Sequence, residues 1–314
     1  MLTKKQLKKY LNHIQLSEEI INQKPSFNLL NLIHEHHVFS IPFENLSIFL
    51  DEPIKIDLES LYEKLIINQR GGYCYEINSL FQALLTTLGF DTQLHLAEVV
   101  YNSPLLSRVP RHAILLVTLD NFVYLVDAGY GRNGMSQPLL LNREHASELT
   151  AHKTLFKAEY REELGFLYQV FYDDEFHIEY RFDYPHYHPI SIKDLEPHNL
   201  YVSTNEESNF TKNTIITMPT PTGRISLNND KLREISDGTR KERLITNLQD
   251  YLEILSQRFN IRVSEDKLRL PFEFKSNQLQ TKFFSKQINP SDQKPLFLQT
   301  LTTDEKHLPQ DNIF

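Results

Sequence analysis

Glycine, cysteine and long apolar stretches are all scarce in this chain, and each shortage excludes something. Only 9 of 314 residues are glycine, under half the usual share of roughly 7%, so the places where glycine does occur are informative. A single cysteine, Cys74, rules out an internal disulfide and any cysteine-cluster metal site. No run approaches the roughly 18 apolar residues of a membrane-spanning helix. Positive charge is also short: 33 Lys and Arg against 41 Asp and Glu leave a formal charge of −8. That balance argues against nucleic acid or an anionic membrane as partner. Small or neutral partners fit better. The opening residues place Leu7, Tyr10, Leu11 and Ile14 on one face between lysines, an amphipathic helix and not a signal peptide, so a cytoplasmic protein is expected.

The length suggests two packed domains, or one large one with an appendage. Residues 1–90 read as helical. A second apolar pattern from Phe27 ends before Ser40-Ile41-Pro42, where proline restricts its predecessor, and a third helix is expected over 57–68. The fourth is the clearest: Ile77, Leu80, Phe81, Leu84, Leu85 and Leu88 recur with helical period and Gly89 stands at the C-cap. From about residue 91 the runs 93–101, 112–119, 122–129, 166–172 and 176–183 are aromatic and β-branched, which predicts an antiparallel sheet or barrel to about 205. A smaller α+β part follows, with strands near 213–218 and 224–227. A helix is expected over 240–258, with Thr239 and Glu242 as a capping box and Leu244, Leu248, Leu252, Leu255 and Phe259 as its stripe. The polar tail from about 272 has little periodicity and is expected to be loosely ordered.

Five of the nine glycines flank two short segments. Gly71 and Gly72 precede Cys74; Gly129, Gly131 and Gly134 follow Asp127. At the mouth of a helix, unpaired amides and the positive end of the dipole favour thiolate, the attacking form of cysteine. The plain alternative is that Cys74 is a small buried apolar residue. If Asp120-Asn121 is a two-residue turn, 119 opposes 122 and Asp127 faces Ile114. His112 then lies on the same face as Asp127, diagonal to it and roughly 7 Å away between Cβ atoms. Such a pair orients an imidazole and frees its other nitrogen to take a thiol proton. Alternatively, the two residues cap strand ends in solvent.

These residues resemble the arylamine N-acetyltransferase family, which carries an R-G-G-x-C-x-E-x-N segment, a histidine before an apolar strand, and a V-D-x-G-[FY]-G segment. Here they stand as Arg70 to Asn78, His112 before Ala113 to Val117, and Val126 to Gly131. His37 ahead of Ile41-Pro42-Phe43-Glu44-Asn45-Leu46, and Ser203, Thr204, Ser208 and Phe210, agree as well. The resemblance covers roughly 5–260. It implies an α+β protein: an N-terminal helical bundle (1–90), an antiparallel β-barrel (91–205) and an α/β lid (206–271), around a cysteine-protease-like Cys-His-Asp core, with 272–314 left as a polar C-terminal extension. It also implies acetyl-CoA-dependent N-acetylation of arylamines or hydrazines by a two-step exchange, with no metal. Cys74 would carry the acetyl group, His112 act as base and Asp127 orient it. Phe43, Val100, Tyr130 and Gly131 match positions lining the acceptor pocket, and Tyr201, Ser208 and Phe210 match the CoA side.

Four features depart from the family pattern, one of them the polar tail beyond about 272, which extends past the usual bacterial-type length. Arg111 stands where threonine is frequent, Asn102 to Leu106 replace a glycine-rich stretch in the donor loop, and Tyr130 replaces a frequent phenylalanine, adding a hydroxyl to the acceptor pocket. Arg70 and Glu44 are expected to form a buried pair tying the exit of the second helix to the catalytic turn. His34, Glu35, His36 and His37 invite a metal reading, but no second cluster converges on them. The acidic stretches Asp173-Asp174-Glu175 and Glu206-Glu207 read as solvated turns rather than acid/base pairs. A thiol hydrolase or peptide-crosslinking enzyme using the same three residues on an amide, and a non-catalytic binding module that keeps the scaffold, are the competing functions.

Overall fold

The chain is described by a computed structural model over residues 1–100 and 110–274. Asn102 to Leu106 and most of the tail expectation lie outside the described residues. Helix α1 (Lys4–His13) starts at a reciprocal cap in which Thr3 and Gln6 each accept from the other's backbone amide. Helix α2 (Phe27–Ser40) is capped by Ser26 and stops ahead of Pro42. A two-residue strand, β1 (Phe43–Glu44), follows. Helix α3 (Leu58–Tyr62) continues into one wide π turn over Glu63–Ile67, within the helix expected there. Helix α4 (Cys74–Thr87) begins at the cysteine itself. It ends where Gly89 adopts φ +90°, a conformation open to glycine and costly for other residues.

Eight strands form the second layer: β2 (Asp91–Val99), β3 (His112–Leu119), β4 (Phe122–Leu125), β5 (Leu139–Leu141), β6 (Ser147–Ala151), β7 (Thr154–Arg161), β8 (Gly165–Tyr172) and β9 (Glu175–Phe182). Their order is β5-β4-β3-β2-β9-β8-β7-β6, all antiparallel, and β5 packs back against β6 and β7 so that the barrel nearly closes. The third part runs through α5 (Ile192–Thr204), α6 (Asn209–Lys212), β10 (Ile215–Thr220), β11 (Gly223–Asn228), β12 (Lys231–Ser236), β13 (Thr239–Leu244) and α7 (Leu248–Phe259). Strand β1 joins the edge of this last sheet, with Phe43 opposite Thr217. The lid sheet is thereby stitched to the helical part beside the cysteine.

Strand β3 explains how helices and barrel share a core. Its apolar run is continuous because it is buried on both faces. Ala113, Leu115 and Val117 pack with α4, whereas Ile114 and Leu116 pack inside the barrel with Leu125, Phe166, Tyr168 and Tyr180. The β3–β4 hairpin has the expected register, Leu119 opposite Phe122, with Asp120 and Asn121 both at positive φ.

Other expectations are corrected. Residues 239–244 are not the start of a helix: they pair with β12 across a turn at Asp237-Gly238, both at positive φ. Thr239 opposes Ser236 and caps nothing, and the cap of α7 is Asn247, whose side chain accepts from the Asp250 amide. Leu244 is therefore exposed and off the stripe. The run 122–129 pairs only to Leu125, although the Val126 amide still reaches the Leu115 carbonyl at 2.8 Å. Helix α5, which runs unbroken through Pro197, and strands β5, β6, β7 and β12 have no counterpart in the sequence reading. No helix among the described residues is long and apolar enough to cross a membrane.

Candidate active site

Two segments meet at the mouth of α4. The first is Arg70 to Asn78. Gly71 and Gly72 let it pass against the Pro42 carbonyl and the Glu76 carboxylate, where a Cβ would come within 2.1 Å and 2.8 Å respectively. Glu76 accepts from the Tyr73 amide at 3.1 Å and from Lys64 Nζ at 2.6 Å, closing the first turn of the helix. Burial pushes the Glu76 carboxyl above its ordinary range, against the pull of Lys64. Arg70 Nε donates to Glu44 at 3.0 Å, and both residues are buried, as the sequence led us to expect. For Glu44, burial is outweighed by the Arg70 and Lys64 charges, and its pKa is lowered. Cys74 is thus held at the helix mouth, buried and reduced.

The second segment leaves the hairpin at Asp127. His112 Nε2 donates to Asp127 Oδ2 at 2.6 Å, and the neighbouring Cys74 side chain helps to raise the ring's pKa. With Nε2 committed to the carboxylate, Nδ1 is the nitrogen left for sulfur. Burial lowers the His112 pKa, but the Asp127 carboxylate and the contact with Cys74 reverse this and raise it well above the ordinary imidazole value. Asp127 shows the mirror effect: burial is outweighed by His112, Asn78 and the Gly129 amide, and its pKa is lowered. The three candidate catalytic residues therefore converge, from α4, from the start of β3 and from just past β4.

Asn78, quoted in the motif but given no role from sequence, is what joins the segments. Its Nδ2 donates to Asp127 Oδ1 at 2.9 Å and to the Ala113 carbonyl at 2.7 Å, while its Oδ1 accepts from the Ala128 amide at 3.0 Å. The signal was available, since Asn78 is one helical turn after Cys74 and shares its face. Gly129 lies so close that a Cβ would sit 2.8 Å from both Cys74 Cα and Asn78 Nδ2.

The remaining expected residues divide into two groups. Phe43, Tyr130 and Gly131 line one cleft together with Val38, Ile41 and Arg224. Val100 is buried beside it on the barrel rim, its amide donating to the Glu179 carbonyl at 3.0 Å. Phe210 packs against the rings of Phe43 and Tyr73, at 6.1 Å and 5.7 Å. Tyr201 lines a separate surface groove along α5, and Arg111 lies over its ring at 3.9 Å. The Ser208 hydroxyl caps α6, accepting from the Phe210 amide and donating to the Val202 carbonyl at 2.7 Å. The Tyr130 hydroxyl donates to Glu179 at 2.9 Å. His34 and His37 are buried in α2, with His37 Nε2 hydrogen-bonded to the Tyr10 hydroxyl at 2.8 Å. No group of three or more His, Cys, Asp or Glu among the described residues could hold a metal ion.

The fold and the converged thiol, imidazole and carboxylate are those of an acyl-transfer protein, and comparison with known proteins narrows the class. A family model described as N-acetyltransferase matches residues 26–268. The chain is 33% identical to human arylamine N-acetyltransferase 1 over 229 residues, covering 65% of this chain and 77% of the relative. It is 29% identical to the arylamine N-acetyltransferase / N-hydroxyarylamine O-acetyltransferase of Salmonella typhimurium over 252 residues, 77% of this chain and 85% of that one. The crystal structure of Nocardia farcinica arylamine N-acetyltransferase superposes with a TM-score of 0.74 at 31% identity, covering 83% of this chain and 91% of that chain. The chain belongs to the arylamine N-acetyltransferase family and is an acyltransferase.

Proposed function

We propose that the protein transfers the acetyl group of acetyl-CoA to an arylamine or hydrazine nitrogen in two steps through an acetyl-cysteine. The observation that carries this reading is the His112 imidazole bonded to the Asp127 carboxylate, in a segment whose Gly129 lies directly against the Cys74 backbone. In the first step His112 takes the thiol proton, sulfur attacks the thioester carbonyl, and CoA leaves as its thiol after receiving that proton. In the second step the amine attacks the acetyl-cysteine, His112 accepts the amine proton, and the thiol is regenerated. Asp127 keeps the imidazole oriented and offsets its charge. The main-chain amides of Cys74 and Tyr75 at the helix mouth are the donors we assign to the oxyanion.

In this reading Phe43, Val100, Tyr130 and Gly131 bound the acceptor, and Tyr201 and Phe210 face the donor. Ser208 supports the donor side through its cap rather than through a free hydroxyl. The segments 1–90, 91–205 and 206–271 act as the bearer of the nucleophile, the bearer of imidazole and carboxylate, and the lid.

The test is intact-mass analysis after incubation with acetyl-CoA. One acetyl group is expected on Cys74, discharged by an aromatic amine with stoichiometric CoA release. Cys74→Ala is expected to abolish both the adduct and the transfer. Near-normal turnover in that variant, or an acyl group passed only to water, would overturn the reading.

A further inference from the structure

Strand β9 contains an irregularity that alternation along its sequence does not suggest. Tyr168 of β8 pairs with Tyr180, but the next residue, Gln169, pairs with Ile178, so Glu179 is an extra residue in the ladder. A β-bulge of this kind turns a side chain that would otherwise face outward. Here it leaves Glu179 and Tyr180, adjacent in sequence, both fully buried.

The Glu179 carboxylate accepts side-chain hydrogen bonds from three residues in a stretch of four just past Asp127. The donors are Tyr130 Oη at 2.9 Å, Arg132 Nε at 3.0 Å and Asn133 Nδ2 at 2.6 Å. Its main-chain carbonyl accepts from Val100. Two of the four residues assigned to the acceptor wall, Tyr130 and Val100, are therefore held by this one residue. The Tyr130 ring in turn stands edge-on to the His112 imidazole, 5.1 Å between centroids at 62°. The hydroxyl that separates Tyr130 from phenylalanine is committed to Glu179 and not offered to a substrate.

A purely structural account would make Arg132 and Glu179 one more barrel ion pair. Burying a carboxylate costs several kcal/mol unless its lone pairs are satisfied, and Arg132 by itself would offset the charge. It would not require a bulge, nor donors from Tyr130 and Asn133. We propose that Glu179 is a positioning residue for the acyl-acceptor step: it sets the path of Tyr130 to Asn133, so that the Tyr130 ring walls the acceptor cleft and braces the outer face of His112. This inference rests on the acyl-transfer reading above.

The two half-reactions separate the possibilities. Acetylation of Cys74 is read from the burst of CoA release, and discharge from the decay of acetyl-enzyme on adding 4-methoxyaniline. Glu179→Ala is expected to slow discharge about tenfold more than it slows acetylation, and Tyr130→Phe to skew the two steps in the same direction. Because the residues act through one contact, the double variant should discharge no more slowly than Glu179→Ala. Glu179→Gln keeps an oxygen for the Tyr130 hydroxyl and should recover part of the loss. Equal slowing of both steps, or losses that multiply in the double variant, would overturn the proposal. If Glu179→Ala does not fold, Tyr130→Phe decides it, since an unaltered ratio of the two steps in that variant would also overturn the proposal. A wild-type acetyl-enzyme that the amine cannot discharge would instead remove the parent reading.

Discussion

The charged groups that brace the helix mouth at Arg70–Asn78 come from nearby in sequence. Glu76 reaches back 3 residues to Tyr73, Lys64 comes from 12 residues before Glu76, and Glu44 lies 26 residues from Arg70. The segment from Asp127 to Gly134 is braced from much farther off: Asn78 is 49 residues from Asp127, and Glu179 is 49 residues from Tyr130. The ion pairs around the nucleophile therefore come from the helical part, while the Tyr73 and Tyr75 hydroxyls reach outside it, to Asn199 and the Arg111 carbonyl. The imidazole and carboxylate depend on the barrel closing and on α4 docking against β3. Damage to the first region should appear chiefly as lost stability, and damage to the second chiefly as lost turnover.

Gly129→Ala gives the largest expected effect in the second region. The new Cβ would meet a backbone atom, Cys74 Cα, at 2.8 Å, so the segment carrying Asp127 must move away from the thiol. A misplacement near 1 Å costs roughly 10²-fold in rate. Steady-state kinetics should show that loss with an unaltered circular-dichroism spectrum; near-normal turnover would break the contrast drawn above.

Arg70→Gln probes the first region. It leaves Glu44 buried without its guanidinium, a change of about 3 kcal/mol or more. At roughly 2–4 °C per kcal/mol for a domain of this size, the melting temperature should fall by about 10 °C. An unchanged melting curve would show that the pair does not hold the two loops together.

His34 lies under both regions, fully buried against the Phe81 ring, and yields the smallest effect. Burial lowers its pKa from 6.5 to about 4, with only partial restoration by the nearby Asp127. The unfolded chain takes up this proton near 6.5 and the folded chain near 4, so stability falls as pH drops through that interval. In His34→Leu the fall measured by urea unfolding should be shallower over the same window. Equal slopes in variant and wild type would remove His34 from the account. Asp127 and Glu44, with lowered pKa values, add losses only as pH falls below the ordinary carboxyl range.

Much of the site could be read before any coordinates. The apolar period after Cys74, the glycines before it and the two-residue turn at Asp120-Asn121 are local signals, and the turn sets the register of the hairpin as far as Leu116 opposite Leu125. The lid misled for an equally local reason: Thr239 and Glu242 mimic a capping box, yet the Asp237-Gly238 turn folds that stretch back as β13. Glu179 carries no local signal at all. In an alternating strand it reads as one more outward-facing charge, and only the slip in pairing between β8 and β9 turns it inward.

By itself, then, the sequence determined the helix that starts at the thiol, the hairpin that points the chain from His112 back toward Asp127, and the membership of both in one known pattern. These depend on period, caps and turn length, which act over a few residues. Tertiary structure alone decided that Asn78 locks helix to hairpin, that Tyr130 spends its hydroxyl on Glu179, and that the last sheet is sewn to β1. Those contacts join residues 49 or more apart and arise only when buried polar groups must find partners inside a closed core.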